Sequence, residues 1–377
     1  MSGPRYPGFT TLALHVAASS PVPDLAVARL EERIAALEGG VAGIAAASGQ
    51  AALHLALATL AGAGDHVVAA DTLAPGARAL LQHGLARFGG ATTFVAPHDA
   101  DAWRAAIRPA TRVLVAPALG HARLDVLDIP RIAALAHEHD LPLLVDATLA
   151  TPALLRAFDH GADLVFHAAD YLAGRAHAGG GLLVDGGTFD WHGAHARSGR
   201  LAALCEPDPG CDGRAFADES TVAAFALRAR AAGLRDFGAA AGAHDAGVLL
   251  AGLETLDLRM ARHVAGARRI AELLARHPAV DHVAYPDLET HPDHALARRL
   301  LPHGCGAVVP FALHGGAAAA QRLLDALKLF GPGDAGGARS LAAPGPAGTV
   351  RLAIGLEDAD DLADDLNRAL KLAQKGA

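Results

Sequence analysis

The sequence predicts an α/β chain with a mostly parallel central sheet and a smaller α+β part at its C-terminal end. Two observations carry this. Short apolar segments without polar alternation follow one another through the first half: "DHVVAA", "ATTFVA", "RVLVAP", "LPLLVDAT", "ADLVFHA" and "GGLLVDG". Most are separated by helical stretches, such as 76–88 and 129–139. Unalternated strands are buried on both faces, and strands interleaved with helices form parallel sheets. Beyond about residue 250 the order changes to "VDHVAYP", "GAVVPFALHGG", a helix through "AAQRLLDALKLF" and the strand "TVRLAIGLE". That order reads as a separate α+β unit.

The elements follow in turn. Residues 27–38, "VARLEERIAALE", place apolar side chains at i, i+3, i+4 and i+7, an amphipathic helix stopped by Gly39-Gly40. "AGIAAASGQAALHLALATLA" gives a short apolar segment, a Ser-Gly-Gln turn and a helix. The stretch from "LRDFGAAAG" to "AELLARH" is mostly helical and includes a long connecting helix. The Gly/Ala/Pro-rich segment 331–348 reads as a flexible loop before the last strand. The division expected is an N-terminal arm and helix (1–39), a large α/β domain (40–245) and a C-terminal α+β domain (246–377).

Composition narrows the function. The 377 residues carry a net charge of -8 and no basic run, which argues against nucleic acid as a partner. No apolar stretch reaches about 18 residues, and "MSGPRYPGFT" has no apolar signal segment, so a cytoplasmic protein without a membrane span is expected. Cys205, Cys211 and Cys305 make neither a disulfide framework nor a zinc motif, and no metal is expected. Only three lysines exist, Lys328, Lys371 and Lys375. Chemistry on a central lysine has almost no candidates.

In parallel sheets ligands gather outside the C-terminal strand ends. Ser48-Gly49-Gln50 opens a helix there; its amides suit a phosphate, or the serine is a plain cap. Asp146 ends the apolar strand "LLVDAT", as a partner for a cationic ring nitrogen or as the next helix cap. Arg351, inside the apolar strand "TVRLAIG", pairs with a substrate carboxylate or a structural one. The stretch 161–187, "GADLVFHAADYLAGRAHAGGGLLVDGG", has the frame of a cofactor-anchoring segment but no lysine.

These features together resemble the Cys/Met-metabolism family of pyridoxal-phosphate (PLP) enzymes, its O-acetylhomoserine sulfhydrylase and cystathionine γ-synthase members above all. "FTTLALHVA", "LEERIAALEGGVAGIAAASGQAA", "RLDVLDI", "LVDATLATP", "HGADLVFH", "RDFGAA", "GLETLDLRM" and "VRLAIGLED" each match family segments in order. The resemblance spans nearly the whole chain. It implies an aspartate aminotransferase-like, fold type I large domain plus the smaller C-terminal domain, assembled into oligomers whose subunits complete each other's sites. It also implies PLP on a lysine Schiff base, serving as electron sink for γ-replacement or elimination on an amino acid. Carried over residue by residue, it makes Ser48, Gly49 and Gln50 the phosphate cradle and Asp146 the ring-nitrogen partner. Arg351 and Ser340 become the substrate-binding residues, with Thr148, His121 and His167 around the vestigial cofactor site.

The lysine motif itself departs. The family pattern H-S-x-T-K-Y/F reads His167-Ala168-Ala169-Asp170-Tyr171, one residue shorter, without the lysine or the two hydroxyls. Ala74 stands where an aromatic stacks on the ring, and His121 where an asparagine touches it. The arm reaching the neighbouring subunit's phosphate is shortened, with 17–28 bridging the deletion, and the substrate loop has shrunk to "APGPAG". Loss of several contacts at roughly 1–3 kcal/mol each weakens a cofactor by orders of magnitude. The expectation is a non-catalytic subunit paired with a lysine-bearing homologue, or a homo-oligomer. One alternative is a PLP-independent site rebuilt from His121, Asp146, His167, Asp170, Tyr171, Arg175 and His177, with a metal on His121, His167 and Asp146 as a variant. The other is a sulfhydrylase or C–S lyase that holds PLP without the covalent bond.

Overall fold

The computed structural model describes residues 25–175, 179–334 and 336–374. Helix α1 (Leu25–Glu38) leads into β1 (Ala42–Ala46), and helix α2 (Gly49–Leu60) follows. Then come β2 (His66–Ala70), β3 (Ala91–Val95), β4 (Thr111–Pro117), β5 (Leu143–Asp146), β6 (Leu164–Ala168) and β7 (Gly181–Asp185). They form a seven-stranded sheet in the order β1-β7-β6-β5-β4-β2-β3, in which β7 alone runs against the rest.

The unalternated sequence runs have a direct cause. Val68, Leu114, Val145 and Val165 pack on one face with Leu30 and Ile34 of α1. Their neighbours Val67, Val115, Leu144 and Leu164 pack on the other face with Leu53 and Leu57 of α2. Both faces are covered, so every position in these strands is selected for apolarity, each such side chain contributing about 1.5–3 kcal/mol on burial.

The C-terminal sheet contains β8 (Val280–Val283), β9 (Val308–Leu313), β10 (Gly331–Pro332), β11 (Leu341–Pro344) and β12 (Thr349–Ala353), in the order β10-β11-β12-β9-β8. The 20-residue helix Leu256–Ala275 links the two sheets, as expected. Two features differ from the sequence reading. The segment 331–348 contains β10 and β11; β11 pairs with β12 and β10 with β11, a pairing that no apolar pattern announces. A final helix, Ala359–Gln374, buries Leu362, Leu366, Ala369, Leu370 and Ala373, a helical period the reading passed over. Most of the expected N-terminal arm lies outside the described residues. Among the described residues no helix is long and apolar enough to cross a membrane.

Two polar ties lock the large sheet. The nearly buried Glu31 accepts the Ala45 N–H at 2.9 Å and Arg230 Nη2 at 2.8 Å, binding α1 to β1. Asp163, just before β6, accepts the Leu143 N–H at 2.8 Å and pairs with His137 Nε2 at 2.9 Å. The hydrogen bond to Asp163 raises the His137 pKa, against partial burial, which lowers it.

Replacing Glu31 by alanine leaves a buried N–H unpaired and removes the carboxylate partner of half-exposed Arg230, which keeps its bond to the Gly43 carbonyl. Urea denaturation of Glu31→Ala is expected to show a loss of about 2–3 kcal/mol; a loss within about 0.5 kcal/mol would place the tie outside the stabilising set. For His137, a folded-state pKa above the unfolded value means that the stabilisation is complete below about pH 6.5 and disappears as pH rises through the folded value. The stability gap between the wild-type chain and His137→Gln is therefore expected to be widest near pH 6 and to close at alkaline pH. A gap that widens with pH contradicts this.

Candidate functional site

At one edge of the large sheet, β1, β6 and β7 meet: Gly181 pairs with Ala46 on one side and Ala168 on the other. The chain leaving β1 turns at once into α2 there, and this turn needs glycine. A Cβ on Gly181 would come 2.2 Å from the Ser48 carbonyl oxygen, and one on Gly49 would come 2.6 Å from the Ala168 Cβ. The glycine-rich patch of the 161–187 stretch is thus what lets β7 pass beneath the start of α2. A cavity of about 420 Å³ opens at this place, beyond the C-terminal ends of β4, β5 and β6. That is the position the parallel topology favours.

Ser48, Gly49 and Gln50 line it. The Ser48 hydroxyl caps α2 by accepting the Ala51 N–H at 3.1 Å. Asp146, the last residue of β5, accepts the Thr148 N–H at 3.0 Å. Burial raises its pKa, opposed by hydrogen bonds from Thr148 and by the charge of His167. Thr148 Oγ1 in turn accepts the Ala168 N–H at 3.0 Å, so one threonine ties the ends of β5 and β6. Asp146 and Thr148 both lie on the wall.

Arg351 reaches the wall from β12. Its Nη1 donates to the His121 carbonyl and its Nε to the Asp334 carbonyl at 3.5 Å. His121 lies on the wall, with Nε2 3.8 Å from the Asp334 carboxylate. Burial, then the charge of Arg351, lowers the His121 pKa to about 4, while Asp334 raises it. The imidazole is neutral at physiological pH.

Two expected site residues fall elsewhere. Strand alternation points Phe166 and Ala168 into the cavity, so His167 faces the opposite side of the sheet. There its Nε2 meets Glu38 Oε1 at 2.5 Å in a fully buried pair. Ser340 is also fully buried and away from the wall. Its hydroxyl donates to Glu357 Oε2 and accepts the Gly355 N–H, both at 2.8 Å, which uses it up structurally. Of the rebuilt-site set, Arg175 is not on the wall and His177 lies outside the described residues. His121, His167 and Asp146 do not assemble as metal ligands. Among the described residues the group with all ligand atoms within 4.8 Å is His98, Asp125 and Asp293, away from the cavity.

Asp170 and Tyr171 start the short helix Asp170–Ala173 directly after β6, and both line the cavity. In the motif, shortened by one residue, Asp170 or the deletion stands at the lysine's place, directly before Tyr171. Its ring is fully buried, edge-on to His263 at 5.5 Å, and a Cβ on Gly336 would lie 2.4 Å from it. Burial raises the Asp170 pKa, and the charges of Asp146 and Asp334 raise it further. Asp334 was invisible in the sequence because its segment reads as loop. Phe166 was readable from the period-two alternation that also turns His167 away.

PLP meets a partial fit. The buried Asp146 and the start of α2 suit a ring nitrogen and a phosphate. Among the described residues no lysine stands on the wall: the Lys328 N–H is bonded to Asp365 in the C-terminal unit, and Lys371 lies on the final helix. Ala168 and Asp170 replace the hydroxyls, and Asp170 puts a carboxylate where negative charge would have to settle. The residues present do not fit a covalently held cofactor, and no chemistry is routed through one.

The family model for Cys/Met metabolism PLP-dependent enzymes matches residues 22–347. The O-acetyl-L-homoserine sulfhydrylase of Leptospira meyeri is 38% identical over 371 residues, covering 91% of this chain and 83% of that protein. The homocysteine synthase of Schizosaccharomyces pombe is 39% identical over 365 residues, with coverage of 91% and 84%. A solved Campylobacter jejuni structure, assigned as an O-acetylhomoserine (thiol)-lyase and carrying N'-pyridoxyl-lysine-5'-monophosphate, superposes with a TM-score of 0.87 at 32% identity, covering 92% of this chain and 85% of that one. The fold and the sequence agree, and the chain belongs to the Cys/Met metabolism PLP-dependent enzyme family.

Proposed function

We propose that the chain is a non-catalytic member of the O-acetylhomoserine sulfhydrylase group, acting as a subunit beside a lysine-bearing homologue in the cytoplasm. One observation carries this: the cavity keeps its scaffold and its Asp146, while Asp170 and Tyr171 occupy the segment that bears the lysine in the family. Without that amine, the amino-acid substrate has no covalent attachment and no electron sink. Several wall residues are turned to structure. Arg351 holds His121 and Asp334, Thr148 joins two strand ends, and Tyr171 packs between the lobes. In this reading the folded chain acts through subunit contacts rather than through its own site. A second reading, weaker PLP binding without the covalent bond, is supported by the retained Asp146 and the α2 turn.

Three measurements separate these. The purified chain is incubated with PLP, reduced with borohydride and mapped by mass spectrometry; no pyridoxyl-lysine peptide is expected. Turnover of O-acetylhomoserine with sulfide is expected to be absent for the chain alone. Tagged chain recovered from its native host is expected to bring down a lysine-bearing homologue. A pyridoxylated lysine or turnover by the isolated chain overturns the proposal, and recovery only as a homo-oligomer removes its subunit half. A near-ultraviolet absorbance change with PLP but no reduced adduct supports the second reading.

A further inference from the structure

We infer that the cavity binds a compact organic cation, a primary ammonium on an apolar body about the size of one aromatic ring. This rests on the lysine-less site described above and names its ligand class. Three carboxylates face the cavity, Asp146 from β5, Asp170 from the helix after β6 and Asp334 from the C-terminal unit. One guanidinium, that of Arg351, stands against them, and its Nη1 and Nε are already committed to the carbonyls of His121 and Asp334. The remaining titratable wall groups bring no positive charge: His121 is neutral, and the Tyr171 phenol is buried without a hydrogen-bond partner among the described residues. Among the described wall residues three carboxyls therefore face one guanidinium.

The rest of the wall is apolar, with Pro117, Leu119, Leu149 and Phe166 among its members. Low-dielectric walls strengthen the field of the carboxylates and concentrate a cation of matching size. Burial, then the charges of Asp146 and Asp334, pushes the Asp170 carboxyl upward, and a cation seated beside it would oppose that shift. A bare metal ion does not suit the arrangement. These three aspartates are absent from the set of groups whose ligand atoms come within 4.8 Å of one another, so their charge is spread over a molecular-sized space. A phosphate monoester would add close to two further negative charges beside Asp170. The volume of about 420 Å³ lies in the range of small-molecule sites.

The test uses the full chain in its native oligomer and three probes: benzylammonium, benzoate and PLP, titrated by calorimetry at low and high salt. Benzylammonium is expected to bind, more weakly at high salt, with benzoate and PLP at least about tenfold weaker. Asp170→Asn is expected to weaken benzylammonium about tenfold while leaving the thermal midpoint near that of the wild type. Should Asp170→Asn fail to fold, Asp334→Asn, at the half-exposed mouth, is expected to show a smaller loss in the same direction. Benzoate or PLP binding as tightly as benzylammonium, no benzylammonium binding at about 10 mM, or unchanged affinity in both variants overturns the inference. These failures are distinct from that of the proposed function, which falls on a pyridoxylated lysine or on turnover whatever benzylammonium does.

Discussion

The hydrogen bond from Arg351 to the His121 carbonyl is the contact on which the site depends. It joins β12 of the C-terminal unit to the loop after β4 of the large sheet, and the same guanidinium holds the Asp334 carbonyl. A side chain only 5% exposed keeps its charge only if its donors are satisfied. Here backbone oxygens satisfy two of its three nitrogens, and the cost of burial becomes a fixed distance between the lobes. The consequences follow in order. Asp334 is carried to the mouth of the cavity, His121 is held beside a permanent positive charge and stays neutral, and Arg351 loses most of its capacity to clamp a carboxylate in bidentate fashion.

The sheet edge supplies the second constraint. Gly181 beneath Ser48 and Gly49 against Ala168 leave no room for larger side chains, so this turn is preserved by sterics whatever the cavity does. A conserved-looking glycine-rich frame is therefore a statement about packing. It does not certify chemistry, and the opposite inference, from frame to activity, fails at the one place where the lysine is lacking. Asp146 illustrates the same separation. Its bond to Thr148, and that of Thr148 to Ala168, would be needed to end β5 and β6 in register even with no ligand present.

The large sheet was legible in the sequence because burial on both faces leaves an unbroken apolar signature, as in "RVLVAP" and "LPLLVDAT". Asp146, Ser48 and Arg351 were legible because a polar group inside or at the end of such a run stands out against it. His167 was misplaced since a family motif carries identity but not direction; the period of two, applied from Phe166, sends it to Glu38 on the far side. Ser340 was misplaced for a similar reason, its hydroxyl being spent on Glu357 and Gly355. Asp334 and the strands β10 and β11 had no local signal at all. Their positions are set by the pairing of β11 with β12 and of β10 with β11, and by the hydrogen bond from Arg351 to Asp334, effects that no apolar pattern announces.

Tyr171 shows why the altered site is a stable state rather than a damaged one. A lysine amine in this pocket would be an ammonium among apolar groups, a cost normally met by deprotonation or by bonding to an aldehyde. Without that partner such a lysine is a liability to the fold. The Tyr171 ring contributes about 1.5–3 kcal/mol through burial and adds an edge-on contact with His263. The ring also fills the space that Gly336 leaves open, packing Gly336 against the large sheet. The segment that lacks the cofactor anchor thus also tightens the joint between the lobes. Arg351 holds Asp334 against the cavity at the same joint, so the acidic wall and the buried phenol belong to one packing arrangement.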